Sequence, residues 1–344
     1  MKRVLKSIIT SSGLAIIFAG GFAASAFADG ELNLYSSRHY DTDEKLYSDF
    51  EAATGITINR IEGKDNEILE RMKAEGANSP ADVLISVDAG RIWEAQQDGL
   101  FQPITSETLN SRIPANLRDP AGNWYGFSQR ARVIFYDKTK VTEPPKTYAE
   151  LADPKYKGMI CTRSASNVYM LSLLAAFIEA NGEASAKAWA QGVKDNLVRE
   201  PEGGDTDQLK GIASGACPIA ISNTYYWGRA LRKQEDWAVA AKDKIGVVFP
   251  DQDGRGAHVN ISGAGVAAHA PNKDNAIKFL EYLASDQAQK YFASGNDEYP
   301  VVAGIATDSP VQQLGTFKAD SINVAAYGEN QAKAQEIYNS VGYK

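Results

Sequence analysis

The alternation of strand and helix patterns over the first hundred residues is the feature that most restricts the fold of this chain. The segment 82–87 is almost continuously apolar, which is typical of a strand buried on both faces of a parallel sheet. Strand patterns at 32–36 and 56–61 precede it. A helix pattern through Leu46, Tyr47 and Phe50 follows the first strand, and amphipathic helix patterns at 66–75 and 91–98 follow the second and third strands. This β-α-β-α-β-α order predicts an open parallel sheet covered by helices.

Strand, turn and helix patterns recur twice in the second half of the chain. A strand at 158–162 leads into an apolar helix at 168–180, and a strand at 215–221 leads into a second helical pattern. Between the two halves, the segment 132–137 is expected to cross from one to the other. A chain of 344 residues is long enough for two α/β lobes, each with its own core.

Two adjacent tyrosines, Tyr225 and Tyr226, lie where the apolar run 218–221 gives way to a helix. Open α/β sheets bind ligands at the carboxyl ends of their strands, so both side chains are expected to face a cleft. A phenol, whose pKa is about 10, ionises at neutral pH only beside a strong positive charge such as a ferric ion. The alternative is that both rings are amphipathic aromatics on a lobe surface or form a platform for stacking a sugar.

Tyr40 and Tyr169 also lie at predicted strand ends. Phenolates suit a hard trivalent cation, whereas soft metals favour sulfur ligands. About four phenolates on one ferric ion leave a net charge of about −1, which needs a cationic partner when buried. Arg229 follows Tyr225 by one helical turn, and Arg130 lies beside the predicted crossing strand. We therefore predict that both arginines supply counter-charge.

His39 directly precedes Tyr40. A neutral imidazole is a common metal ligand, so His39 is a candidate to complete the coordination sphere. Neighbouring residues in a strand point to opposite faces, however, and a hydrogen-bonding role beside the site is the alternative.

The amino terminus has the pattern of a secretory signal peptide. Basic residues precede an apolar stretch at 8–27, which ends in Ala26-Phe27-Ala28. We predict cleavage after Ala28 and a periplasmic product, and an uncleaved anchor is the alternative. The formal charge is −7, and removing Lys2, Arg3 and Lys6 changes it to −10. So acidic a chain is a poor candidate for binding nucleic acid or anionic lipid.

The two cysteines, Cys161 and Cys217, lie near the strands that lead to Tyr169 and Tyr225. In an exported protein an even number of cysteines favours a disulfide, and two buried thiols are the alternative. A zinc site is not expected, because no histidine lies near either cysteine.

Four segments of the chain resemble the ferric-iron-binding proteins of ABC importers, above all those of the cyanobacterial type. These segments are 36–40, 124–132, 161–169 and 223–229. The resemblance implies a type II periplasmic-binding-protein fold, with two α/β lobes, a hinge and a central ligand cleft. It further implies that tyrosines bind the iron at Tyr40, Tyr169, Tyr225 and Tyr226. Some members add a histidine at the position of His39, and others use water or a bound anion instead.

From these observations we expect the first lobe to contain residues 29–129 and about 251–305, and the second lobe 130–250 and about 306–344. A monomer is expected to carry ferric iron, with ferrous iron also open, to an inner-membrane ABC permease. The alternatives are binding of another small ligand, such as a sugar, polyamine or anion, and iron sequestration without transport. An enzyme is not expected, since the sequence shows no Ser-His-Asp order, no CxxC and no HExxH.

Overall fold

The computed structural model describes residues 30–38, 40, 42–306 and 308–344. The predicted signal peptide, 1–28, and His39 lie outside the described residues. The strands are Glu31–Ser36 (β1), Thr57–Glu62 (β2), Val83–Ser86 (β3), Tyr125–Asp137 (β4), Ile160–Cys161 (β5), Ile219–Asn223 (β6), Ile245–Val248 (β7), Val259–Val266 (β8) and Tyr299–Pro300 (β9).

The helices cover and connect these strands. They are Asp43–Thr54 (α1), Asp65–Glu75 (α2), Ala89–Gln97 (α3), Glu107–Arg112 (α4), Val168–Asp195 (α5), Asp205–Ser214 (α6), Thr224–Arg232 (α7), Asp236–Ala241 (α8), Lys273–Leu283 (α9), Asp286–Asn296 (α10), Ala325–Glu329 (α11) and Gln331–Val341 (α12). Among the described residues, no helix combines the length and apolar character that crossing a membrane requires.

The strands join in the order β2-β1-β3-β8-β4-β6-β5, with β7 and β9 also pairing with β4. As predicted, β1 pairs in parallel with both β2 and β3. The sheet as a whole is mixed, because β8 runs antiparallel to its neighbours β3 and β4. All four residues of β3 are buried, which explains its almost unbroken apolar sequence.

Strand β4 connects the two halves of the sheet. Its first part, up to Ala131, pairs with β8, and its second part, from Arg132, pairs with β6. The crossing strand is therefore longer than the predicted segment 132–137. Because β4 changes partner along its length, one strand joins two α/β lobes.

Helix α5 is kinked at Gly182, where φ is 78° and ψ is 163°. This backbone conformation is strained for residues with a side chain, and it separates the predicted apolar helix at 168–180 from the second part of α5. At the carboxyl terminus, α12 packs on α5, and α11 packs on both α3 and α5. The last two helices thus contact elements that belong to both halves of the chain.

Cys161 and Cys217 form a disulfide, which confirms the predicted bridge. Cys161 is the last residue of β5, and Cys217 lies two positions before β6. These two strands pair in parallel, so the disulfide reinforces the edge of the sheet from which α5 and α7 begin.

Candidate metal centre

Tyr225 and Tyr226 lie in the first turn of α7, directly after β6. Asn223 occupies the N-cap position of α7, but its side chain does not cap the helix. Its Oδ1 instead accepts a hydrogen bond from Arg132 Nη1 at 2.9 Å, which ties the corner to the crossing strand. The two tyrosine rings stack with their centroids 4.2 Å apart, so both side chains extend from this corner in the same direction.

Tyr169 lies in the first turn of α5, at the second predicted corner. Asn167 caps this helix by accepting a hydrogen bond from the Tyr169 backbone N–H at 2.9 Å. The hydroxyl oxygens of Tyr169 and Tyr225 are 3.2 Å apart. Two strand-to-helix corners, 56 positions apart in sequence, therefore meet at one point.

Tyr40 comes from the other half of the sheet. The sequence predicts that it ends a strand, but β1 stops at Ser36 and Tyr40 lies in the loop that follows. The guanidinium carbon of Arg38 lies 4.8 Å from the centre of the Tyr40 ring. Negative charge on Tyr226 raises the pKa of Tyr40, and negative charge on Tyr40 raises the pKa of Tyr169, so Tyr40 lies within electrostatic range of the tyrosines of the second half.

Burial raises the pKa of three of these phenols. It raises the pKa of Tyr40 to about 12, and the negative charge of Glu298 adds to this effect. It also raises the pKa of Tyr169 and of Tyr225, and ionisation of a neighbouring tyrosine raises both further. Without a cation in the cluster, these three hydroxyls are therefore protonated at neutral pH.

Arg130 lies within this cluster and is almost fully buried, with 2% of its surface exposed. Its guanidinium carbon is 5.9 Å from the centre of the Tyr169 ring, and its charge lowers the pKa of Tyr40, Tyr169 and Tyr225. Its Nη1 reaches Ser262 Oγ at 3.5 Å, while Nε and Nη2 have no hydrogen-bond partner among the residues that the structure describes. A buried guanidinium with unsatisfied donors favours negative charge nearby, as the predicted counter-charge role requires.

Arg229 is also placed as predicted, beside the tyrosine pair. Its guanidinium carbon lies 5.1 Å from the centre of the Tyr226 ring and 5.8 Å from that of Tyr225. A further arginine, Arg163, lies 5.1 Å from the centre of the Tyr169 ring. The sequence analysis did not identify Arg163, and its position in the turn before Tyr169 was the only feature that indicated a cation there.

Arg132 and Asp205 fix the position of the second-half corners. Arg132 Nη1 lies 2.9 Å from Asp205 Oδ2, and both side chains are buried. The same carboxylate accepts hydrogen bonds from the Asn223 backbone N–H at 2.8 Å and from Arg163 at 3.3 Å. Asp205 was not identified from the sequence, because its pattern is that of an ordinary first-turn carboxylate of α6.

The described part of the chain contains no group of three or more His, Cys, Asp or Glu side chains able to hold a metal ion. Phenol oxygens are thus the hard ligands that the cluster offers. The surrounding arginines provide the positive charge that a set of phenolates needs.

Comparison with known proteins assigns the chain to a family. Residues 78–319 match the family described as bacterial extracellular solute-binding protein. The chain is 50% identical to iron uptake protein A1 of Synechocystis over 315 residues, 91% of this chain and 88% of that protein.

Solved structures agree with this assignment. A Trichodesmium protein in complex with iron and citrate ligands superposes with a TM-score of 0.89 at 53% identity, covering 92% of this chain and 100% of the other. A ferric binding protein from Campylobacter jejuni gives a TM-score of 0.84 at 39% identity, covering 91% and 100% of the two chains. The chain therefore belongs to the bacterial extracellular solute-binding proteins, in the group that contains the cyanobacterial iron uptake proteins.

Proposed function

We propose that this protein binds ferric iron through the phenolate oxygens of Tyr40, Tyr169, Tyr225 and Tyr226 and delivers it to an ABC permease. The observation that carries the proposal is the 3.2 Å approach of the Tyr169 and Tyr225 hydroxyls, with Tyr226 stacked beside them. Similar proteins named for iron uptake and ferric iron binding support the choice of cargo. His39 is kept as a candidate fifth ligand, and ferrous iron as a second form of the cargo.

Charge balance explains why arginines surround the phenols. About four phenolates on a ferric ion carry a net charge of about −1, and burying that charge alone is costly. Arg130 and Arg229 lie against the rings that would carry it, and we assign both as counter-charges. Without iron, the protonated phenols carry no negative charge for these arginines to neutralise, which favours entry of an ion that ionises the cluster.

We further propose a cycle of capture, closure and handover in the periplasm by a monomer. Tyr169, Tyr225 and Tyr226 capture the ion in the second lobe, and closure about the hinge brings Tyr40 onto it. The lobes in this proposal are 29–129 with about 251–305, and 130–250 with about 306–344. The change of partner along β4 at Ala131 and Arg132 supports the first of these boundaries.

Two observations favour metal binding over the stacking of a sugar. Tyr225 is only 5% exposed, and its ring face is covered by Tyr226. The hydroxyls of Tyr169 and Tyr225, rather than their ring faces, approach each other. The proposed activity is binding without a bond-breaking step, in line with the names of the similar proteins, and it involves no nucleic acid.

Titration with ferric nitrilotriacetate tests this function. Phenolate coordination is expected to produce a visible charge-transfer band that saturates at about one iron per protein, whereas Zn²⁺, with no accessible charge-transfer state, gives no such band. The proposal is rejected if saturating ferric iron gives neither the band nor a rise in melting temperature.

Iron binding is expected to release at least about three protons per ion at neutral pH, because the pKa values of Tyr40, Tyr169 and Tyr225 lie well above 7 before binding. The apparent affinity for the free ferric ion then falls by at least about 10³-fold for each pH unit lost. Proton uptake by a weak buffer during the titration measures the stoichiometry, after correction for the protons that the freed nitrilotriacetate takes up. Release of fewer than about two protons would contradict coordination by these phenolates.

A further inference from the structure

Asp297 and Glu298 are consecutive buried carboxylates between α10 and β9. Their exposed fractions are 0% and 3%. Asp297 adopts a left-handed conformation, with φ at 58°, which is uncommon for a residue other than glycine. This turn directs the two neighbouring side chains to different parts of the candidate iron site.

Asp297 binds the helix that carries the tyrosine pair. Its Oδ2 accepts a hydrogen bond from Arg232 Nε of α7 at 2.9 Å, and its Oδ1 accepts one from Ser309 at 3.0 Å. Helix α7 packs against this turn at Gly228, where a Cβ atom added to the glycine would lie only 3.0 Å from the Asp297 Cβ and 2.6 Å from Val311. The missing side chain at Gly228 allows this close approach.

Glu298 binds the loop that carries Tyr40. Its Oε2 accepts a hydrogen bond from Arg38 Nη1 at 3.3 Å, and Arg38 in turn lies over the Tyr40 ring. The same oxygen accepts a hydrogen bond from Ser128 of β4 at 2.8 Å, and Oε1 accepts one from Ser262 of β8 at 3.5 Å. Glu298 therefore fastens the segment that carries Tyr40 to β4, the strand that connects the halves of the sheet, and to its neighbour β8.

We propose that Asp297 and Glu298 act as positioning residues that set the distance between Tyr40 and the tyrosine pair, and thereby the geometry of the iron site. This inference rests on the proposed function. Each carboxylate makes charge-assisted hydrogen bonds, which are strong and directional, and one peptide unit joins the two. Movement of either tyrosine-bearing segment relative to the other, as in opening of the cleft, must then break a charged contact of Asp297 or Glu298 or change the turn at Asp297.

The test measures ferric affinity by competition with citrate in four proteins: wild type, Glu298→Gln, Tyr40→Phe and the double variant. Glutamine keeps the size of Glu298 but loses its charge and one acceptor oxygen. We expect Glu298→Gln to weaken binding about tenfold in the wild-type background, as is common for partners that orient metal ligands. In the Tyr40→Phe background the same change is expected to lower the ferric affinity by less than about twofold, because the ligand that Glu298 positions is already absent.

Two further variants guard against a simple folding defect. Ser128→Ala removes one hydrogen bond to Glu298. We expect it to lower the ferric affinity less than Glu298→Gln does, and to have no effect on the affinity in the Tyr40→Phe background. Glu44→Gln, which removes the exposed ion pair with Arg60, serves as the matched control and is expected to leave affinity unchanged.

The outcomes separate the inference from the function on which it rests. Wild-type affinity in Glu298→Gln, or an equal loss in both backgrounds, overturns the positioning role while iron binding by the wild type stands. Loss of thermal stability in Glu298→Gln with unchanged affinity of the folded protein overturns it as well. Absence of ferric binding in the wild type overturns both proposals.

Discussion

Replacing Tyr225 and Tyr226 together by phenylalanine is expected to abolish high-affinity ferric binding. The change removes two of the proposed anionic ligands and leaves the rings, which account for the stacking at 4.2 Å. We expect the affinity to fall on the order of 10⁴-fold, which corresponds to about 5.5 kcal/mol. The charge-transfer band should be lost or strongly weakened in the same titration, because fewer phenolates remain to donate charge to the metal.

Tyr291→Phe provides the matched control for this variant. Its hydroxyl, on α10, binds Asp49 of α1, away from the tyrosine cluster. This substitution should leave both the band and the affinity unchanged. If the double variant of Tyr225 and Tyr226 kept an affinity within about tenfold of the wild type, the tyrosine pair would not be part of the coordination sphere.

Removing the disulfide by the paired substitution Cys161→Ala and Cys217→Ala is expected to lower the free energy of unfolding by about 4 kcal/mol. The bond closes a loop between residues 56 positions apart, and the chain-entropy model assigns a loop of this length roughly that stabilisation. Both cysteines are buried, so alanine avoids placing a new polar group in the core. Urea unfolding of the iron-free protein measures the loss.

The position of this disulfide predicts which part of the protein loosens first. It ties together β5 and β6, the strands that lead to the helices bearing Tyr169 and the tyrosine pair. Amide hydrogen exchange in α5 and α7 should therefore increase more than exchange in α1 and α2. The control for the urea experiment is the wild-type protein, unfolded with and without reductant. A loss below about 1 kcal/mol in the paired variant would contradict the expected stabilisation.

Several structural features could be predicted because their signals are local. The buried strand β3, the helices after β1 and β2, and the two strand-to-helix corners follow from apolar periodicity and turn residues within short windows. The disulfide was one of two open alternatives, which the structure decides because parallel pairing brings β5 and β6 side by side. Arg229 lies beside Tyr225 because a spacing of four residues in a helix fixes that contact.

Other features depended on contacts between distant segments. Tyr40 was expected at the end of a strand, but it lies after β1 and beside Arg38, which forms buried ion pairs with Asp43 and Glu298. Glu298 and Asp205 had no recognisable pattern in the sequence, since a carboxylate near a helix terminus is most often solvated or a cap. Their roles arise only where chain segments meet.

The sequence by itself determined which segments form strands and helices, which tyrosines stand at the strand-to-helix corners, and which family the motifs resemble. Side-chain periodicity and turn chemistry are properties of a few neighbouring residues, so they can be read without the fold. Only the tertiary structure decided that Tyr169 and Tyr225 meet, and that one turn at Asp297 and Glu298 contacts both halves of the site. These contacts depend on which strands pair with β4 and β8 in the sheet, and that pairing is a property of the whole chain.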